Sequence, residues 1–170
     1  MEAAVGTVGI VGFGRFGRSL CELMAESGLE VRAFDPHAPV PGPIAAASLG
    51  ALVRASQVVV LAVPVPALET VIGEASAILT RRQLVLDVAS VKVKPAELFD
   101  RYLADRVPWA ATHPLFGPAS LARRERPLRV WMRRAAPRPP RAPRLCLRLC
   151  PRGSRQAQLD PTPAKSCTKN

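Results

Sequence analysis

Three glycines, Gly12, Gly14 and Gly17, stand in a G-x-G-x-x-G spacing, and their flanks constrain this chain more than any other feature. An apolar run over residues 5–11 leads into the first glycine and reads as a buried parallel strand. An amphipathic helix leaves the last, with Phe16, Leu20, Leu23 and Met24 on one face and Arg15, Arg18, Glu22 and Glu26 elsewhere. Ser27-Gly28 ends that helix. A second apolar strand over residues 30–34 delivers Asp35, 23 positions after Gly12. An acid at that distance reaches the ribose of a dinucleotide held at the glycine turn. A plain turn between strand and helix is the alternative, and strand, glycines, helix and acid together argue against it.

Each glycine has its own expected task. Gly12 makes the tight turn out of the strand, Gly14 lets a pyrophosphate approach the backbone, and Gly17 lets the helix pack closely on the strand. The helix N-terminus then offers free N–H groups and a positive dipole end to the phosphates. Phe13, Arg15 and Phe16 complete this loop as candidate cofactor contacts.

Further along, strands and helices alternate. A proline-rich loop covers residues 36–43 and holds His37, which reads as a solvated loop residue. A short alanine-rich helix is expected over residues 44–54, a third strand over 57–63, a helix over 67–79 and a fourth strand over 83–87. Pro95 suits the first turn of a helix running to about residue 104, and residues 109–112 form a fifth strand entering His113-Pro114. The strands are apolar throughout, so both sheet faces are covered. Right-handed crossovers make this an α/β, doubly wound parallel sheet of the Rossmann dinucleotide-binding kind. Residues 128–131 offer one more candidate strand.

In such a sheet, ligands sit beyond the carboxyl ends of the strands. The unusual residues fall there: the glycine loop, Asp35, Val63-Pro64, the Asp87–Lys92 stretch and His113. Val63 and Pro64 join the candidate cofactor contacts. Ser90 and Lys92 bring a hydroxyl and an amine, and prolines and a glycine hold the His113 imidazole. A histidine beside a nicotinamide acts as base or hydrogen-bond acceptor toward a substrate hydroxyl during hydride transfer. Spacing alone equally allows Ser90 as a cap or turn residue, Lys92 as a solvated charge and His113 as a loop residue.

The motifs Gly12-Phe13-Gly14-Arg15-Phe16-Gly17, Asp87-Val88-Ala89-Ser90-Val91-Lys92 and His113-Pro114-Leu115-Phe116-Gly117-Pro118, in this order, resemble the prephenate and arogenate dehydrogenases of tyrosine biosynthesis. The resemblance covers roughly residues 5–118, extending at most to about residue 130. It implies an NAD(P)-dependent oxidative decarboxylation of a cyclohexadienyl acid. Hydride leaves the ring carbon bearing the hydroxyl, carbon dioxide departs and the ring aromatises. It also implies that His113 hydrogen-bonds the substrate hydroxyl, that Ser90 positions His113 and the nicotinamide, and that Lys92 contacts substrate. Asp35 favours NAD over NADP, since its carboxylate repels a 2′-phosphate.

The chain departs from that resemblance after residue 118. The net charge of +11 is concentrated there: residues 1–118 carry 10 Lys+Arg and 11 Asp+Glu, net −1, and residues 119–170 carry 14 and 2, net +12. Proline and arginine at this density do not build helix pairs, so residues 1–130 are expected as the dinucleotide-binding domain and residues 131–170 as a disordered basic tail. The helical second domain that the resemblance implies, with its homodimer interface and substrate-carboxylate arginine, has no counterpart there. The tail reads as coding sequence translated in a shifted frame, starting between about Ala119 and Arg138. Slow or absent turnover is therefore expected despite cofactor binding.

Other partners are less well served. Any nucleic-acid binding through the tail is expected to be sequence-blind and strongly salt-dependent, because it would come from counterion release, and base stacking is poorly served without aromatics beyond Trp131. Cys146, Cys150 and Cys167 make a poor zinc pattern, and no metal site is expected. Cys21 reads as a small buried apolar residue. Without a signal sequence or a membrane-length apolar run, a cytoplasmic protein is expected. The rival readings are a nucleotide-sensing or nucleic-acid-binding module on the same domain, and another dehydrogenase of this fold.

Overall fold

The structure is a computed structural model that describes residues 6–125 and 128–134. Its centre is β1 (Thr7–Val11), with β2 (Glu30–Phe34) on one side and β3 (Val58–Leu61) on the other. The sheet continues through β4 (Leu84–Asp87), β5 (Trp109–Pro114) and β6 (Val130–Arg134), giving the order β2-β1-β3-β4-β5-β6. The first five strands run parallel, and β6 runs antiparallel to β5.

Chain direction decides which face each helix covers. From β1 to β2 the chain moves one way along the sheet, and from β2 onward it moves the other way. Right-handed crossovers therefore place the first helix on one face and the next three on the opposite face. Accordingly α1 (Arg15–Glu26) packs Leu20, Leu23 and Met24 against Val8, Ile10, Val31 and Val60. Helices α2 (Leu49–Ala55), α3 (Val65–Ser76) and α4 (Val93–Tyr102) bury Leu52, Ile72 and Phe99 against Val59, Leu61, Val85 and Trp109. Residues 58–61 alternate between the two faces and are buried on both, as the unbroken apolar run of a parallel strand requires. Phe99 meets Trp109 edge-on, ring centroids 5.2 Å apart. Cys21 is buried as expected, and burial, reinforced by Glu22, pushes its thiol up to about 11.

Several boundaries differ from the sequence expectation. The helix expected over 44–54 starts only at Leu49, because Ser48 caps it by accepting the Ala51 N–H at 3.1 Å. Pro41 and Pro43 confine Gly42–Ile44 to a single 3-10 turn. Ala45 then pairs with Ala33, and the Ala46 N–H reaches the Ala33 carbonyl at 2.8 Å. The fifth strand runs on to Pro114 because β6 lies beside it, with His113 opposite Trp131. The sixth strand extends past residue 130 to Arg134. A fifth helix, α5 (Pro118–Ala122), precedes it. Residues 135–170, with most of the expected tail and three of its cysteines, lie outside the described residues. Among the described residues no helix is long and apolar enough to cross a membrane.

One close approach holds the far face. A Cβ on Gly9 would lie 2.5 Å from Leu52 Cδ2 and would overlap Ser56 Oγ, so α2 sits directly on the backbone of β1. Ser56 donates its hydroxyl to the Leu52 carbonyl at 2.7 Å and is itself buried, so neither neighbour yields freely. Gly9→Ala is expected to cost about 1–3 kcal/mol by overpacking, read as a lower denaturation midpoint. An unchanged midpoint would show that α2 shifts without penalty.

Candidate cofactor and catalytic site

The glycine turn has the geometry that the three expected tasks require. Gly12 has φ +100°, and a Cβ there would lie 2.5 Å from the Ala62 carbonyl oxygen, so only glycine makes this turn unstrained. A Cβ on Gly17 would overlap the Gly12 carbonyl oxygen, so α1 lies against the turn with no room for a side chain. Gly14 is the reverse case: a Cβ there would meet nothing within 4 Å. It caps α1 with no side-chain hydrogen bond, leaving the first-turn N–H groups facing open space. Open space at Gly14, beside uncapped amides, is the cradle a pyrophosphate requires, so a dinucleotide fits these residues.

Asp35 stands at this turn and does more than the spacing implied. Its Oδ2 accepts the Phe13 N–H at 2.7 Å, and its Oδ1 accepts the His37 N–H at 2.8 Å. The carboxylate thus ties the glycine loop to the loop after β2. Each oxygen keeps acceptor capacity for a ribose hydroxyl. Val63 packs beneath the turn, its Cγ1 3.2 Å from where a Gly12 Cβ would stand, and Pro64 begins α3 beside it. Arg15 is exposed at the start of α1, Phe13 is buried, and Phe16 meets Phe116 with ring centroids 6.1 Å apart. That last contact seats the loop after β5 on the cofactor helix.

A buried carboxylate joins the ends of β4 and β5. Asp87 has no exposed side-chain surface. Its Oδ2 accepts the Lys92 ammonium at 2.8 Å and the Ala89 N–H at 2.9 Å, and its Oδ1 accepts the Thr112 N–H at 3.2 Å. Lys92 also donates to the Thr112 carbonyl, and the Thr112 hydroxyl donates to the Asp87 carbonyl. Burial pushes the Asp87 carboxyl above its ordinary value, while Lys92 and the two backbone N–H groups pull against that rise.

His113 follows Thr112 and is half-buried, and its Nδ1 is buried with no hydrogen-bond partner. Ser90 is exposed on the loop after β4. Among the described residues no hydrogen bond joins Ser90, which the resemblance assigns to positioning, to His113. The glycine loop, Asp35, Val63-Pro64 and Ser90 follow the carboxyl ends of parallel strands and His113 lies in the last two residues of β5, so the topology gathers them at one edge. Sequence reasoning had no role for Asp87 as an anchor, nor for Thr112 or Phe116. A charged residue closing the apolar run 84–87 was the available signal.

A doubly wound sheet with this turn and acid defines the nucleotide-binding module of a nicotinamide-dependent dehydrogenase. Residues 44–125 match the family described as prephenate dehydrogenase, nucleotide-binding domain. That match supports a Rossmann module of the dehydrogenase kind over this part of the chain. The match begins after the glycine loop, which rests on its own geometry. Among solved structures, the prephenate dehydrogenase of Aquifex aeolicus is 27% identical with a TM-score of 0.55, covering 65% of this chain and 43% of its own. The Synechocystis arogenate dehydrogenase is 22% identical (TM-score 0.56), covering 64% of this chain and 40% of its own. The Coxiella burnetii glycerol-3-phosphate dehydrogenase is 18% identical (TM-score 0.62), covering 75% and 47%. The latter two show the fold alone. The chain spans less than half the length of each of these structures. No curated protein matches the sequence.

The ion pair yields a pH-dependent prediction. Lys92 is only 13% exposed, so Lys92→Met leaves a buried carboxylate unpaired, at a cost of about 3–5 kcal/mol near neutral pH. Burial then raises the Asp87 pKa with less opposition. A raised folded-state pKa favours the folded state below the unfolded value and loses that advantage as pH rises through the folded value. The melting-temperature gap between parent and variant is therefore expected to be smaller at about pH 5 than at about pH 8. A gap that is constant, or larger in acid, contradicts this account of Asp87.

Proposed function

We propose that this chain is the cofactor-binding and hydride-transfer part of an NAD-dependent dehydrogenase acting on prephenate or arogenate. The observation that carries the reading is the convergence of the glycine turn, Asp35, Ser90 and His113 on one sheet edge, in a chain whose residues 44–125 match the prephenate dehydrogenase nucleotide-binding domain. The nicotinamide, when bound, accepts the hydride. Gly14, Arg15, Phe16 and Gly17 offer backbone amides to the pyrophosphate, Gly12 and Phe13 shape the turn beneath it, and Val63 and Pro64 flank it. Asp35 takes the ribose hydroxyls and repels a 2′-phosphate. Arg32, the nearest cation on β2, pairs with Glu30 at 3.6 Å, which supports NAD over NADP.

His113 takes the substrate hydroxyl as hydrogen-bond acceptor and base. Loss of that proton as hydride departs makes the carbonyl, and decarboxylation then aromatises the ring. Ser90 orients the imidazole and the nicotinamide. The ring is half-buried and engages no hydrogen-bond partner through its Nδ1, which leaves it uncommitted to the fold and free for this role.

Two measurements test the reading. Titrating both nucleotides into the chain is expected to give tighter binding of NAD+, and Gly14→Ala is expected to weaken it without lowering the melting temperature. Equal or tighter NADP+ binding rejects the assignment of Asp35. NADH formation is then followed with prephenate and with arogenate in a frame-restored chain, since this chain itself is expected to turn over slowly or not at all, and His113→Ala is expected to reduce it by about 100- to 10,000-fold. An undiminished rate removes His113 from the chemistry.

A further inference from the structure

Lys92 was expected at the substrate, yet its ammonium is already committed. It donates to Asp87 Oδ2 at 2.8 Å and to the Thr112 carbonyl. Both acceptors are backbone or buried groups of the strands behind the site. The carbonyl of Thr112 belongs to the same planar peptide unit as the N–H of His113. Fixing that oxygen fixes the plane from which the imidazole departs. Thr112 is held at its N–H and its hydroxyl as well, both by Asp87. On the other side, Asp87 grips its own loop twice, through the Ala89 N–H and through Lys92. Ser90 lies between those two grips. The ion pair thus holds the backbone just before His113 and the loop around Ser90.

We propose that Lys92 and Asp87 are positioning residues, which set the places of His113 and Ser90 from one buried ion pair, and that the Lys92 ammonium does not bind substrate. This deepens the dehydrogenase reading and rests on it only for the role of His113. Its geometric content is testable without turnover. The 170-residue chain has two histidines, so its imidazole carbon–proton spectrum holds a signal from His113 and a reference from His37 in an exposed loop.

Lys92→Met is expected to displace or broaden the His113 signals while those of His37 stay in place. Lys92→Arg keeps a cation with several donors and is expected to return them close to the parental positions. NAD+ affinity is expected to stay within about twofold of the parent in both, because the glycine turn makes no contact with the pair; affinity measurements resolve such a change. If Lys92→Met does not fold, the double variant Asp87→Asn with Lys92→Met removes the unpaired buried charge. It still leaves the Thr112 carbonyl without its ammonium, and the same displacement of His113 is expected. His113 signals at the parental positions in the folded Met variant or the double variant overturn the proposal. So does equal displacement by Met and Arg. Absence of NAD+ binding by the unaltered chain bears instead on the dehydrogenase reading, so the two ideas fail separately.

Discussion

The amide end of α1 lies against the turn that closes β1, and no side chain fits between them. Gly17 has no space for a Cβ beneath the Gly12 carbonyl, and Gly12 takes a backbone conformation that L side chains rarely adopt. This one steric constraint aims the helix at the open space over Gly14. The positive end of the helix dipole and its uncapped N–H groups then face the same spot. Asp35 secures the arrangement from the neighbouring strand by holding the Phe13 N–H. The acid proposed to take the ribose hydroxyls is therefore also a structural clamp on the glycine loop.

The opposite half of the site depends on a different kind of interaction. Asp87 is a charge with no exposed surface, a costly group unless fully partnered. Here it is partnered by an ammonium and two backbone N–H groups, which tie β4 to β5 at the edge where Ser90 and His113 emerge. A buried ion pair contributes little net stability compared with an apolar replacement. Its value lies in register: a charged group with directional partners permits one arrangement of the two loops. The Phe16–Phe116 contact then brings the His113 loop onto the cofactor helix, so the two halves meet through apolar packing.

Much of this was legible in the residues, and the reasons are physical. The period and length of the apolar runs reveal strands β1 to β5, because parallel strands buried on both faces have no polar positions to hide. Gly12 and Gly17 were legible because each answers a steric demand that no other residue meets, whereas at Gly14 the structure leaves open space. The start of α2 at Leu49 was missed because three alanines carry high helix propensity while Ser48, one position later, decides the cap. The role of Asp87 was missed for another reason. Ser90 and Lys92 stand out by their chemistry, but burial and cross-strand partners are tertiary facts. The strand β6 was visible only as a short apolar segment, since its partner His113 is distant in sequence and the pairing is antiparallel.

The central claim is that one sheet edge, built by the turn after β1 and the ends of the parallel strands, receives the cofactor and faces the reacting groups. The most direct measurement is a backbone amide spectrum of the chain recorded through an NAD+ titration. The account predicts the largest shifts at Phe13, Gly14, Arg15 and Phe16, then at Asp35, Val63 and the loops holding Ser90 and His113. Residues at the other edge, such as Gln57, Gln83 and Val107, are expected to hold their positions. Shifts concentrated at that other edge, or none at saturating NAD+, would contradict it.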